Sequence, residues 1–204
     1  MKGLTKLVVA LSLVAGALHA QTPVSGQALG AAVRTAATTL QSGQVTLPFG
    51  GGFVAADVDA LSAPEVRVDA LTTMTSGAMD MQASTAQSTA HLEKVNVLNG
   101  LITAETVIAA TSSWVSGAAG WNAEGSGFTN LAVNGVPLGS GDYLPAPNTR
   151  VNLPGVGYVV LNEQIASGAA GITVNMIHVV LQNALTGLTT GEIIVASASS
   201  SVGN

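Results

Sequence analysis

The sequence predicts an all-β fold, most simply an antiparallel β-sandwich of jelly-roll type. Short runs rich in β-branched residues, Asn-Gly pairs between such runs, and a scarcity of charge all favour this class. Of 204 residues, 8% are charged and 3% aromatic, with 24 glycines and no cysteine. This composition excludes a disulfide scaffold, a zinc ribbon and a basic nucleic-acid binder. A repetitive β-solenoid is the alternative fold, although no fixed period is visible.

The first twenty residues have the pattern of a secretory signal peptide. Lys2 and Lys6 form a short positive region, residues 7–18 are apolar, and Ala20 offers a small residue before Gln21. The apolar run is too short to span a membrane, and no later run is long enough. We therefore expect residues 21–204 to form a single all-β domain that is secreted. Its destination is extracellular or the cell surface, with the periplasm as the alternative.

Strand patterns follow one another along the mature chain. Residues 27–41 combine a helical apolar face with β-branched residues, so helix and strand both stay open there. Residues 53–59 and 65–69 alternate between apolar and polar, which predicts strands with one buried face. Four later runs are rich in β-branched residues on both faces, which is typical of central strands: 101–108, 158–161, 172–181 and 192–195.

Turn signals separate these runs. Asn99-Gly100 and Asn134-Gly135 each lie between apolar runs, and such pairs tolerate the positive φ angles of a hairpin turn. Pro145, Pro147 and Pro154 predict loops or an edge, because proline cannot donate a hydrogen bond to a sheet.

Small side chains dominate residues 78–127. Serine, threonine and alanine let sheets approach closely but bury little area, so such a fold depends on backbone pairing. It also leaves edges that can accept a strand from another copy. One hypothesis is therefore a fibre subunit that donates residues 21–43 to its neighbour.

An ordered set of short segments resembles the choice-of-anchor P family. The segments are 45–48, 98–105, 134–137, 145–149, 151–157, 161–164, 172–179 and 194–198. The resemblance covers most of the mature chain and implies a secreted bacterial surface domain with no assigned catalysis. The chain ends at Asn204 without a sorting motif or hydrophobic tail, so covalent attachment to a cell wall is not expected.

The sequence contains few groups of residues that are typical of catalytic sites. Two histidines follow the leader, His91 and His178, and no Gly-x-Ser-x-Gly element frames a nucleophile. His178 lies in the most apolar run, where a hydrogen-bonded sheet residue is the favoured interpretation. Glu163 is a candidate for half of a glycosidase carboxylate pair, and a polar strand end at a turn is the alternative. We predict no enzymatic activity.

Two further residue pairs are candidate binding sites. Trp114 and Trp121 bracket a glycine-rich stretch, and indole rings stack on sugars or insert into partners, although tryptophan is usually core. Asp57 and Asp59 lie two apart, so on a strand both carboxylates share one face that suits Ca²⁺. A solvated strand face is the simpler interpretation of these acids, and no other cofactor is expected.

These observations predict a noncatalytic exported structural or adhesive protein. The alternative is a carbohydrate-binding or hydrolytic module that uses Trp114, Trp121 and Glu163. Self-association through sheet edges and a glycan or surface partner are the expected interactions. The acidic net charge of −5 argues against a nucleic-acid partner.

Overall fold

The described part of the chain consists of 18 β-strands. The computed structural model describes residues 22–203, and that range contains no helix. The strands are β1 (Val24–Thr35), β2 (Thr39–Ser42), β3 (Val45–Thr46), β4 (Gly52–Val58), β5 (Leu61–Ser62), β6 (Val66–Val68), β7 (Ala70–Met79), β8 (Ser84–Val97), β9 (Ile102–Ser116), β10 (Ala118–Asn122), β11 (Gly127–Thr129), β12 (Ala132–Val133), β13 (Val136–Pro137), β14 (Asp142–Tyr143), β15 (Thr149–Leu153), β16 (Gly157–Ala166), β17 (Gly171–Gln182) and β18 (Thr189–Val202).

The strands form two antiparallel sheets. Sheet A has seven strands in the order β15-β16-β17-β18-β1-β2, with β3 also paired to β1. Sheet B has 11 strands, and its centre is the pair of long strands β8 and β9. All strands from β4 to β14 belong to sheet B, so within residues 22–203 the chain crosses between the sheets after β3 and after β14. Most neighbours within a sheet are therefore joined as hairpins.

The sheets pack face to face, which confirms the predicted antiparallel β-sandwich. β1, β17 and β18 of sheet A lie against β7, β8 and β9 of sheet B. Antiparallel pairing is not the arrangement of the solenoid alternative. The helical option for residues 27–41 is wrong, because β1 lies between β18 and β2 in sheet A. Burial of Val33 and Ala31 in the core between the two sheets outweighs the weak helical periodicity of this segment.

Both predicted Asn-Gly turns are hairpin connections. Asn99 and Gly100 have φ angles of 54° and 92° between β8 and β9, and Asn134 and Gly135 have 54° and 73° between β12 and β13. Positive φ at both central residues gives a twist that matches the flanking strands, which is why this dipeptide suits the position.

The core between the sheets has two unlike ends. The apolar end contains large, fully buried aliphatic side chains, among them Leu92, Ile102, Leu161, Ile177 and Ile193. The hydroxyl end contains buried hydroxyl side chains and alanines: Thr75, Ser84, Ala86, Ser88, Thr111, Ser113, Ala198 and Ser200. We use these two names below for the two sets of residues.

Hydrogen bonds connect the sheets at the hydroxyl end. The Ser113 hydroxyl donates to the Ser200 carbonyl oxygen at 2.9 Å and lies 2.8 Å from the Ser200 hydroxyl. On sheet B the Thr75 and Ser88 hydroxyls are 2.9 Å apart. Gly26 of β1 faces these two, and a Cβ there would overlap Thr75 Oγ1. The backbones of the two sheets therefore approach closely at this end.

A transverse bend crosses sheet A. Four residues form the bend, one on each strand: Gly30, Asn162, Met176 and Ala196. Along β17, Thr173 and Asn175 face outward, Met176 and Ile177 are both fully buried, and His178 faces outward again. Asn162 and Ala196 have φ angles of 49° and 55°, a conformation that L residues rarely adopt. This backbone turns two successive residues inward on each strand, and on β1 the first of the two is Gly30, which has no side chain.

The expectations about export concern residues outside the described range. The predicted signal peptide, residues 1–20, belongs to the part of the chain that the structure does not describe. Among residues 22–203, no helix has the length and apolar character needed to cross a membrane.

Candidate functional site

Glu163 lies within β16 at the centre of a hydrogen-bonded cluster. It pairs with Asn175 in the register between β16 and β17. Asn175 Nδ2 donates to Glu163 Oε2 at 2.7 Å, and His178 Nδ1 lies 2.9 Å from the same oxygen. The side chains of Glu163 and His178 are each 18% exposed. Glu163 is thus held in the middle of a strand, and the interpretation as a strand end at a turn is wrong.

The close contact shifts the pKa values of both partners. The hydrogen bond to Glu163 raises the pKa of His178 above its ordinary value, and burial opposes this shift. The hydrogen bond from His178 lowers the pKa of Glu163, again against burial, with a smaller contribution from Asn175. The carboxylate of Glu163 therefore favours the protonated, positively charged imidazole of His178, and that imidazolium favours the ionised carboxylate.

Further contacts extend this cluster across the sheet. The Ser197 hydroxyl of β18 donates to Asn175 Oδ1 at 2.6 Å. Glu192 Oε2 lies 3.7 Å from His178 Nε2, and Glu192 Oε1 lies 3.3 Å from Arg34 Nη1 on β1. We call the resulting group the polar network: Arg34, Glu163, Asn175, His178, Glu192 and Ser197.

A furrow on the outer face of sheet A lies alongside the polar network. At the transverse bend, two successive residues of each strand face inward, so one row of side chains is missing from the outer face. The furrow has a volume of about 270 Å³. It is lined by Gln27, Leu29, Ala32, Arg34, Gln41, Thr173, Asn175, Glu192, Ile194 and Ser197.

Within the polar network, no hydroxyl group is hydrogen-bonded to the imidazole of His178. Both ring nitrogens of His178 face carboxylates, Glu163 at Nδ1 and Glu192 at Nε2. The nearby Ser197 hydroxyl is directed to Asn175 and not to the imidazole. A nucleophile would need its hydroxyl within hydrogen-bond distance of the base. The network instead holds fixed donors and acceptors at the side of the furrow.

The two tryptophans lie on opposite faces of the β9–β10 hairpin. Trp114 pairs with Gly120 and packs against it, on the outer face of sheet B. Trp121 pairs with Ser113 and packs against the buried core. Directly opposed residues of an antiparallel pair point to the same side, so the two indoles are separated by the sheet. The two indole rings therefore do not form one binding surface.

The two aspartates lie at the edge strand β4. Asp57 is exposed and accepts a hydrogen bond from the Thr72 hydroxyl at 2.7 Å, and Asp59 follows the end of β4 and is exposed too. Within residues 22–203, no group of three or more His, Cys, Asp or Glu residues is arranged to hold a metal ion. The proposed Ca²⁺ site thus gains no further carboxylate, histidine or cysteine ligand in the described residues.

A second depression lies on the outer face of sheet B. It is wider, about 420 Å³, and its apolar lining includes Ile108, Tyr143 and Leu144. The polar pair at its rim is internally satisfied, because the Thr129 hydroxyl donates to Asp142 at 2.9 Å.

The sequence-based interpretation found Glu163 but missed most of its partners. The sequence pattern alone does not mark Asn175, Glu192, Ser197 or Arg34 as site residues, and it predicts His178 only as a hydrogen-bonded sheet residue. A signal for them exists in the spacing of polar residues on β17. Thr173 and Asn175 are two apart, but Asn175 and His178 are three apart, which marks the switch of faces at the bend.

Fold and site together define the class of this chain as an antiparallel β-sandwich with a polar furrow on one outer face. Comparison of the chain with family models, curated proteins and solved structures gives no match.

Proposed function

We propose that this chain is a noncatalytic structural or adhesive domain of an exported surface protein. It acts by presenting the outer faces of its sheets to other molecules. The resemblance to the choice-of-anchor P family and the leader pattern support export. The observation that carries an adhesive role is the outer face of sheet B.

Part of that outer face is a row of uncharged polar side chains that crosses three strands. Ser76, Gln87 and Ser112 lie side by side on three neighbouring strands. On β8, Thr85 and Gln87 are exposed, and they alternate with buried Ala86 and Ser88. Hydroxyl and amide groups each donate and accept hydrogen bonds, and a patch without net charge does not repel either sign of surface. Many weak contacts of this kind suit adhesion to a hydrated surface.

Expression of the full chain with an epitope tag in a bacterial host tests the export part of the proposal. We expect a mature protein whose mass corresponds to cleavage after Ala20, and which added protease digests on intact cells. Retention of residues 1–20 in a protease-protected protein would contradict export. A second copy of the chain that lacks residues 2–20 is the control and is expected to stay inside the cell.

A charge placed in the patch tests the adhesive part. Ser112→Asp puts a carboxylate in the middle of the outer face of sheet B, and Thr39→Asp adds the same charge on the exposed strand β2 of the other sheet. We expect severalfold weaker retention of the Ser112→Asp protein on cells and hydrated surfaces, and wild-type retention for Thr39→Asp. Equal retention of all three proteins would overturn the assignment of this face.

A further inference from the structure

We propose that the furrow on the outer face of sheet A binds an extended, uncharged saccharide chain. The site lies on the opposite sheet from Trp114 and Trp121, and it involves Glu163 only through the support that Glu163 gives to Asn175. The inference does not depend on the surface role proposed above, because it concerns a different face of the molecule.

The course of the furrow determines the shape of its ligand. The lining residues belong to β2, β1, β18 and β17, which are neighbours in this order. Because neighbouring strands lie about 4.8 Å apart, the furrow extends for about 14 Å across the sheet. That length suits a short linear chain better than a single sugar ring.

Recognition in the furrow depends on side chains. The backbone groups of β1, β18 and β17 at this place are paired within the sheet. A peptide that binds by strand addition needs unpaired backbone groups at a sheet edge, and this face does not present them. A ligand with its own array of hydroxyl groups fits a surface that offers only side-chain hydroxyls and amides.

The polar side chains of the furrow match sugar hydroxyls in their chemistry. Five of its ten lining residues carry an amide or a hydroxyl group: Gln27, Gln41, Thr173, Asn175 and Ser197. Each of these groups both donates and accepts hydrogen bonds, as a sugar hydroxyl does. Gln27 and Gln41 are exposed and stand at the β1 and β2 side.

Asn175 and Ser197 are held in place before a ligand arrives. Glu163 accepts one N–H of the Asn175 amide, and the Ser197 hydroxyl donates to its carbonyl oxygen. The carboxylate fixes which way the amide points, because it can only accept when ionised. Asn175 is only 6% exposed, but both residues line the furrow, and a ligand there would meet side chains that lose little entropy on binding.

The floor of the furrow is apolar. Leu29, Ala32 and Ile194 face outward between the polar groups and are half-buried. Saccharide rings present C–H surfaces between their hydroxyls, and such surfaces gain free energy when aliphatic side chains cover them. The mixture of an apolar floor and polar sides therefore fits an amphipathic sugar chain.

The charges of the furrow select a neutral ligand. Its two charged residues, Arg34 and Glu192, lie against each other at 3.3 Å and compensate. The chain as a whole has a net charge of −5. An acidic polysaccharide or a phosphate group would be repelled by this field and would not meet a surplus of cations in the furrow.

Binding of the purified residues 21–204 to immobilised neutral oligosaccharides tests the proposal. A panel of gluco-, manno-, galacto- and xylo-oligosaccharides is the probe, with acidic glycans and inorganic phosphate on the same surface. We expect retention on at least one neutral chain, and a response that increases with chain length up to the span of the furrow. Retention on none of the neutral chains, or on acidic glycans alone, would overturn the proposal.

Two variants locate the binding. Ala32→Phe fills the furrow and is expected to weaken retention by tenfold or more, while Ala55→Phe makes the same change on the exposed edge strand β4 and should leave it unchanged. Gln41→Ala, on the exposed strand β2, removes one amide without filling space and should also weaken retention. Circular dichroism checks folding, and if Ala32→Phe does not fold, Gln41→Ala alone decides. Wild-type retention by a folded furrow variant would contradict the assigned site.

Discussion

The apolar end and the hydroxyl end of the sandwich hold the same two sheets together by different means. At the apolar end, large aliphatic side chains such as Leu92 and Ile177 fill the space between the sheets. At the hydroxyl end, alanine and glycine let the backbones approach, and hydroxyl groups such as those of Ser113 and Ser200 bond across the gap. Since burial contributes roughly 25 cal/mol per Å² of apolar surface, most of the stability should come from the apolar end.

Truncation of a large side chain at the apolar end has the largest expected effect. Leu92 of β8 is fully buried in the main core. Leu92→Ala removes apolar contacts and leaves a cavity, which typically costs about 2 to 5 kcal/mol. Urea unfolding followed by circular dichroism measures the loss. A loss below about 1 kcal/mol would contradict the assignment of this end as the main source of stability.

Overfilling at the hydroxyl end has the next largest expected effect. In Gly26→Ala the new Cβ would overlap Thr75 Oγ1 and approach Ser88 Oγ to 3.0 Å. Overpacking of this kind costs about 1 to 3 kcal/mol. Gly127→Ala is the matched control, because its new Cβ would have only Tyr143 O nearby, at 3.8 Å. Thermal unfolding of both variants should show a lower Tm for Gly26→Ala alone, and equal Tm values would argue against close approach of the sheets.

Removal of the hydrogen bonds between the sheets is expected to lower the free energy of unfolding by a smaller amount. The losses of the two single variants should not add. Ser113→Ala leaves the buried Ser200 hydroxyl and carbonyl without their partner, at a cost of about 1 to 3 kcal/mol. The double variant Ser113→Ala with Ser200→Ala removes both hydroxyls and should lose less than the sum of the two single variants. Chemical unfolding of all four proteins gives the coupling free energy. A coupling of zero would mean that the contact between the two hydroxyls does not contribute to stability.

The polar network should make the stability of the protein depend on pH, because His178 and Glu163 titrate. The apolar residues of the core do not titrate and give no such dependence. The raised pKa of His178 contributes stability that is complete below its ordinary value of 6.5 and lost as pH rises through the folded value. The lowered pKa of Glu163 contributes stability that is complete above its ordinary value of 4.5 and lost as pH falls through the folded value. The pair is therefore most stabilising between these two ordinary values.

Glu163→Gln tests this pH dependence. We expect the variant to lose about 1.5 to 3 kcal/mol near pH 5.5, the strength of a hydrogen bond to a charged group, and less near pH 8. The control is Asp69→Asn, which breaks the exposed contact of Lys94 with Asp69 at 3.1 Å and should leave the profile unchanged. Melting curves from pH 4 to pH 9 measure both. Parallel profiles for wild type and Glu163→Gln would contradict the described pair.

Much of the fold is predictable from the sequence because its signals are local. The alternation around Val66 and Val68 and the turn at Asn134 and Gly135 both reflect steric preferences of single residues. The helical option at residues 27–41 failed because burial of β1 between two strands depends on partners that are distant in sequence. Assignment of strands to the two sheets depends on the same distant pairings.

The candidate site is less predictable, because it depends on register. Glu163 meets Asn175 and His178 through the hairpin of β16 and β17, but Arg34 reaches Glu192 from the other end of the chain. The change of the outward-facing position between Asn175 and His178 is visible in the sequence, because these two polar residues are three apart instead of two. By contrast, a left-handed backbone at Ala196 has no sequence signal, since glycine or asparagine is usual in that conformation.

The difference between the two ends is tested most directly by native-state hydrogen exchange along β9, the strand that passes through both. We predict that amides of residues 102–109 exchange only through global unfolding, because Ile102 and Val107 lie in the apolar end. Amides of residues 111–115 should exchange through partial openings of lower free energy, since the inward-facing residues paired with them on β8 are the small Ser84, Ala86 and Ser88. A single common free energy of opening along the whole strand would contradict this account of the sandwich.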